Sequence, residues 1–288
     1  MRAHDVTATQ QQADAPLPEV ESHLAVRHVL RDGARDVVAV EEPLEIRVDG
    51  EPVAVTMRTP GHDEELALGF LYGEGLIAEV AEATPSDDLA ANAIEVRGPL
   101  TRNLPARRFY TTSSCGVCGK GAIEEVAVHC DPLSSGPRVS RALLADLPDR
   151  LVQPGFARTG ALHATGLFDA AGELLCMRED VGRHNAMDKV VGWALRQRGM
   201  PLNQALLCVS GRLSFELVQK AAVAGAPVLV GVGAPTSLAV ELAQERGLTL
   251  CGFARRGRIN VYAGSQRVSG SPQRVGDTAP PVASGSGR

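Results

Sequence analysis

From Ala161 onward the chain repeats one rhythm, in which a short apolar run is followed by a small-residue loop and then by a helical stretch. That rhythm limits the fold more than any other feature. Ala161 to Asp169 and Leu174 to Arg178 read as strands, and Asn185 to Gln197 as a helix. Ala205 to Val209 reads as a buried strand, Ser214 to Ala224 as a helix, Val228 to Val232 as a strand, Ser237 to Arg246 as a helix and Leu248 to Phe253 as a strand. Apolar strands with helical crossovers bury both sheet faces, so the expected class is α/β, a three-layer domain with at least part of its sheet parallel.

The amino-terminal half follows another pattern. Val37 to Val40 and Leu44 to Val48, with Asp49-Gly50, read as strands around a tight hairpin. A helix follows, with Asp63-Glu64-Glu65 in its first turn and Leu66, Leu68, Phe70 and Leu71 on its apolar face; Ile94 to Arg97 is a further strand. The chain therefore divides into a polar terminus over 1–24, expected to be disordered, and a small α+β domain over 25–110. The α/β domain covers 111–263 and opens on a loop with two close cysteines; a Ser-, Gly- and Pro-rich tail covers 264–288, also expected to be disordered.

A chain of 288 residues with 44% hydrophobic and 22% charged content has enough apolar mass for such cores. Its formal charge of −5 argues against nucleic acid as a partner and confines any anion site to a local basic patch. No apolar run is long enough for a bilayer, and residues 1–19 lack the layout of a secretory signal, so a cytoplasmic location without membrane contact is expected. Four of the six cysteines, Cys130, Cys176, Cys208 and Cys251, sit in apolar surroundings and read as reduced core thiols.

The other two stand in Thr111-Thr112-Ser113-Ser114-Cys115-Gly116-Val117-Cys118-Gly119-Lys120. This spacing admits half of a zinc site, a redox dithiol, or a thiolate that carries sulfur. A closed zinc site needs a second close ligand pair, which the sequence lacks. His163 follows the cysteines and is followed by Ala164-Thr165, so the zinc deaminase signature is not met. A thiolate on a Gly-rich loop near a lysine suits attack on a donor persulfide, because the loop must visit two partners.

Polar residues crowd the strand exits. Glu179 to Lys189 lies between a strand and a helix, and reads as a ligand site in preference to a solvated loop. Ser210-Gly211-Arg212, Gly231 to Ser237, and Phe253-Ala254-Arg255-Arg256-Gly257-Arg258 follow three successive strands. Small residues let backbone amides approach a phosphate, and arginines grip it. Neither a P-loop nor a dinucleotide Gly-x-Gly-x-x-Gly is present. His163 is either a satisfied core histidine or a polar group facing the cysteine loop.

With these residues the chain resembles the formate dehydrogenase accessory sulfurtransferase family, from about Asp36 to Tyr262. The matching stretches are Arg58 to Gly61, Glu64 to Leu71, Cys115 to Lys120, His163-Ala164, Glu179 to Lys189, Ser210 to Ala221, Ala234 to Ser237 and Gly252 to Tyr262. The resemblance implies that the larger domain is similar to the cytidine-deaminase fold, a three-layer α/β/α sandwich with a mixed sheet. It implies that Cys115 carries a persulfide received from a cysteine desulfurase, with Cys118 as relay or resolving thiol. The sulfur then passes to a molybdenum (or tungsten) bis(molybdopterin guanine dinucleotide) cofactor, bound as a client with no permanent metal, before its insertion into the formate dehydrogenase apoenzyme. Phe253, Ala254, Arg255, Arg256, Gly257 and Arg258 match the family's cofactor-binding stretch, while His163, Arg183, Ser210, Gly211, Arg212, Thr236 and Ser237 are secondary candidates. A homodimer is a further expectation. The rival reading is a non-catalytic chaperone that binds the cofactor and the apoenzyme.

Overall fold

A computed structural model describes residues 25–86, 92–101, 109–111 (backbone), 128, 130–133 and 135–271. The terminus over 1–24, both close cysteines and the tail beyond 271 lie outside the described residues. The chain opens with β1 (Val26–Arg31) and β2 (Ala34–Ala39), then β3 (Glu42–Val48) and β4 (Glu51–Arg58). Asp-Gly occurs at both turns with positive φ, 51° and 82° at Asp32-Gly33 and 49° and 85° at Asp49-Gly50, the conformation a two-residue hairpin requires. The expectation here needs correction. Val37–Ala39 pairs with Val26–His28 around the first Asp-Gly, while the second joins β3 to β4.

Next come α1 (Asp63–Gly73), β5 (Glu82–Pro85), β6 (Ala93–Arg97) and β7 (Phe109–Thr111), which complete a five-stranded mixed sheet of order β5-β6-β3-β4-β7. Leu44, Ile46 and Val48 alternate inward along β3 and meet Leu66 and Leu71 of α1, the period-2 pattern of a half-buried strand.

The second unit contains β8 (Val139–Ser140), α2 (Arg141–Asp146), α3 (Pro154–Thr159), β9 (His163–Phe168), β10 (Leu174–Asp180), α4 (Arg183–Gln197), β11 (Leu206–Val209), α5 (Phe215–Val223), β12 (Val228–Gly231), α6 (Ser237–Glu245), β13 (Thr249–Arg255), β14 (Arg258–Ala263) and β15 (Val268–Ser269). Its six-stranded sheet has the order β10-β9-β11-β12-β13-β14; β11, β12 and β13 are parallel and the other pairs antiparallel. Leu207, Val209, Leu229 and Leu250 face α4, α5 and α6. Leu206, Cys208, Val228, Val230 and Cys251 face Leu144, Ala145 and Leu147 on the other side. Both faces are covered, so the expected α/β layering of a mixed sheet is present. β9 starts two residues later than expected because Pro154 opens α3 and Gly160, at φ 67°, closes it.

The two sheets meet through α1 and α4. A Cβ on Gly69 would lie 1.8 Å from the Asp188 carbonyl oxygen, and one on Gly192 1.9 Å from that of Glu65, so only glycine permits this crossing. The tail also needs correction, since order continues to residue 271. Arg267 is buried and donates to the Gly247, Leu133 and Ser135 carbonyls, at 2.7, 2.8 and 3.3 Å, and β15 pairs with β8. One buried guanidinium holds three loop carbonyls there, which a composition dominated by Ser and Gly hides.

Candidate functional site

The strand directions gather one edge. β11, β12 and β13 all end there, β9 begins there because Thr165 faces Val209, and β10 ends there with Asp180 opposite His163. Beyond the strands the loops stay laced by backbone bonds. Gly233 N–H donates to Gly211 O (3.0 Å), Leu213 N–H to Ala234 O (3.0 Å), Thr236 N–H to Leu213 O (3.0 Å) and Phe253 N–H to Gly233 O (3.1 Å). Ser210 closes the β9 side, its N–H donating to Ala164 O and its Oγ accepting from Ala164 N–H, both at 2.9 Å. Glycine makes the lacing possible: a Cβ on Gly233 would lie 2.9 Å from Gly211 O and from the Arg212 backbone, and one on Gly252 3.1 Å from Gly233 O. The result is a floor of bare backbone at three successive strand exits.

Charge is arranged around this floor. Arg183 is the first residue of α4, and its Nε is buried with no hydrogen-bond partner among the described residues. Arg212 is exposed. His163 is half-buried; a Cβ on Gly211 would stand 3.3 Å from its Nδ1 and 3.8 Å from Arg183 Cδ. Burial, and then the charges of Arg183, His184 and Arg212, hold its imidazole below the ordinary histidine range, with Asp180 pulling the other way. His163 is thus partly buried at the edge, and two guanidiniums make it a poor seat for a dication. The helices α4, α5 and α6 all begin at this edge, adding partial positive charge.

The hairpin from β13 to β14 is the outer wall. Phe253 has φ 56°, rare for a bulky side chain, and Arg256-Gly257 turns with φ 50° and 71°. Arg255, Arg256, Gly257 and Arg258 are exposed, whereas Ala254 is buried in the core and offers only backbone. Thr236 caps α6, its Oγ1 accepting from Ala239 N–H at 3.3 Å, so its hydroxyl is already engaged; Ser237 is exposed beside it.

One group escaped the sequence reading. His184 Nε2 lies 3.0 Å from Glu216 Oε2 and 3.2 Å from Ser214 Oγ, and Ser214 Oγ donates to Glu216 Oε2 at 3.2 Å. The contact with His184 is the chief reason the Glu216 carboxyl is lowered to about 2. Ser-x-Glu at a helix start was the available signal, but its histidine lies 30 residues away.

The run Glu179 to Lys189 is neither a ligand site as a whole nor a solvated loop. Asp180 Oδ2 accepts from Thr59 N–H (3.1 Å) and pairs with Lys189 Nζ (2.7 Å), which also donates to Thr59 O (2.8 Å). Asn185 Nδ2 donates to Met57 O (2.7 Å), and its Oδ1 accepts from the Thr56 hydroxyl (3.1 Å). Asp188 pairs with Lys220 at 2.8 Å, and Glu179 accepts from Gly155 and Phe156 N–H, both at 2.8 Å. Of this run, Asp180 ends at the edge but is engaged by Lys189 and Thr59, and Arg183 and His184 remain to face it. A groove of about 650 Å³ lies elsewhere, lined by Glu42, Arg58, Asp63 and Asn92. Those four side chains bond one another, with Arg58 to Asp63, Glu42 and Asn92 at 2.8, 3.4 and 2.8 Å.

Cys176, Cys208 and Cys251 are free and buried, and burial pushes Cys176 and Cys251 up to about 12 and Cys208 up as well. Half-buried Cys130 is raised for the same reason. Thiols held protonated are poor nucleophiles. The flanks of the segment bearing Cys115 and Cys118 are described. Thr111 lies in register with Thr56, whose hydroxyl bonds Asn185 in the first turn of α4, and Val128 N–H donates to Gln219 Oε1 of α5 at 3.2 Å.

Comparison with known proteins agrees with this architecture. The FdhD/NarQ family matches residues 39–269. A sulfur carrier protein FdhD of Streptomyces coelicolor is 51% identical over 262 residues, covering 83% of this chain and 93% of its own length. Namesakes from Anaeromyxobacter dehalogenans and Mycobacterium tuberculosis are 49% and 45% identical, covering 85% and 86% of this chain and 93% and 98% of their own. A crystal structure described as a formate dehydrogenase accessory protein from Desulfotalea psychrophila superposes with a TM-score of 0.68 at 28% identity, over 85% of this chain and 98% of that one.

Proposed function

The chain belongs to the FdhD/NarQ family, and from that premise we propose that its sulfur-carrier role in formate dehydrogenase maturation runs through a persulfide on Cys115. The observation that carries this reading is the state of the other thiols. Cys130, Cys176, Cys208 and Cys251 are all raised by burial, so sulfur chemistry falls to Cys115 and Cys118. Cys115 lies four positions beyond Thr111, a span of at most about 14 Å of extended chain.

In the loading step the Cys115 thiolate attacks the outer sulfur of a cysteine desulfurase persulfide. A new S–S bond forms, the donor's S–S bond breaks, and the donor leaves as a thiolate that takes up a proton. Handing that sulfur on as sulfide needs two electrons, which Cys118 supplies by closing a disulfide with Cys115. The client is a molybdenum or tungsten bis(molybdopterin guanine dinucleotide), and its phosphates fit the edge described above. The glycine floor admits a diphosphate against backbone, and Arg183 and Arg212 supply guanidiniums beside three helix starts. The Phe253–Arg258 hairpin adds exposed arginines at the outer wall.

The order β10-β9-β11-β12-β13, antiparallel only at its first two pairs, supports a cytidine-deaminase-like reading of the larger unit, with the smaller α+β unit over about 25–110. Among the described residues no helix is long and apolar enough to cross a membrane. The setting proposed with this role is the cytoplasm, beside a desulfurase and the dehydrogenase apoenzyme, with the chain as a homodimer. The test is formate dehydrogenase activity in cells that depend on this chain. Cys115→Ala abolishes it, and Cys118→Ala loads sulfur but delivers little; full activity with Cys115→Ala would leave the cofactor-binding chaperone as the better account.

A further inference from the structure

His163 stands on β9, and a Cβ on Gly211 would lie 3.3 Å from its Nδ1 and 3.8 Å from Arg183 Cδ, so both side chains border the space that Gly211 leaves open. The charged groups that face it come from every neighbouring element: Arg183 and His184 from α4, Arg212 from the loop after β11, and Asp180 from β10. Two of them are already committed, since Asp180 is paired with Lys189 at 2.7 Å and His184 with Glu216 at 3.0 Å. Burial is the largest cause that lowers the imidazole, and Arg183 and Arg212 add guanidinium charge that a phosphate would neutralise.

We propose that His163 couples occupancy of this edge to a proton: a phosphate-bearing ligand held by Arg183 and Arg212 draws one proton from solvent onto the imidazole. The inference rests on the ligand site proposed above. In the free edge burial, and after it the guanidiniums, oppose a positive charge on His163, in line with its lowered range. A bound phosphate cancels that repulsion and accepts a hydrogen bond from the imidazolium. By linkage the same coupling works in reverse, so lowering the pH through the histidine range tightens binding. His163 is thus a tuning residue, sensing whether the arginines are neutralised.

The experiment uses the full chain with guanosine 5′-diphosphate and, separately, inorganic pyrophosphate. Calorimetry near the ordinary histidine pKa of about 6.5, in two buffers of different ionisation enthalpy, counts protons taken up. The probe's own phosphate ionisation is common to both proteins, so the difference between wild type and His163→Gln isolates the imidazole. Wild type is expected to take up about half to one proton more than H163Q. The His163 ring resonances of the wild-type protein are expected to titrate at higher pH with the probe than without it, a readout that needs no variant. Equal proton counts with unmoved His163 resonances would overturn the inference while leaving the ligand site intact. Absence of binding by either probe at every pH would remove the ligand site itself, and this inference with it.

Discussion

The stretches 179–189 and 210–216 look alike as sequence, each a polar run that leaves a strand and opens a helix, yet the fold uses them in opposite ways. In the first, Asp180, Asn185, Asp188 and Lys189 are buried and bond Thr59, Met57, Thr56 and Lys220. In the second, Arg212 is exposed and Gly211 bare, with His163 and Arg183 beside them. Polarity at a strand exit therefore marks either a weld between layers or a ligand edge. What separates them is whether another element supplies partners, as the end of β4 and Thr59 just after it do for the first run.

That contrast is broken most directly at its buried centre. Lys189→Ala leaves Asp180, itself fully buried, without its cation, and is expected to cost about 3–5 kcal/mol in denaturant unfolding. A cost below about 0.5 kcal/mol, ordinary for a surface change, would mean that the run is not a weld. Gly192→Ala drives a methyl to within 1.9 Å of the Glu65 carbonyl oxygen, and the α1–α4 crossing must open, at about 1–3 kcal/mol by the same assay.

Arg212→Ala is the counterpart on the open side. Unfolding free energy is expected to stay within about 0.5 kcal/mol of wild type, while guanosine diphosphate affinity falls about tenfold or more, the worth of a charge-assisted hydrogen bond. The smallest effect is electrostatic. Glu216 is lowered to about 2 from an ordinary value of about 4.3, so its hydrogen bonds with His184 and Ser214 stabilise the fold above that ordinary value and are lost as pH falls between the two. With its side chain 32% exposed, solvent screening keeps the term to a fraction of a kcal/mol, seen as a shallower acid slope in Glu216→Gln.

The strands β9 to β13 were legible because buried strands in a layered sheet are apolar throughout, and the helices because their apolar faces recur with helical period. The bare-backbone floor was foreshadowed by glycine after each strand. The fate of the polar residues was not legible, because it depends on partners more than 100 positions away: Asp180 meets Thr59 and Asn185 meets Thr56 only after the two units have packed. The buried Arg267 was hidden for the same reason, since the three carbonyls it holds lie at least 20 positions upstream.

The central claim is that sulfur rides on Cys115 while the four thiols inside the fold stay silent. Intact-mass measurement after incubation with a cysteine desulfurase and cysteine, for wild type, Cys115→Ala and Cys118→Ala, tests it directly. A gain of one sulfur atom, removed by reductant and absent only in Cys115→Ala, is the predicted result. A gain that persists in Cys115→Ala, or no gain in any of the three, would contradict it.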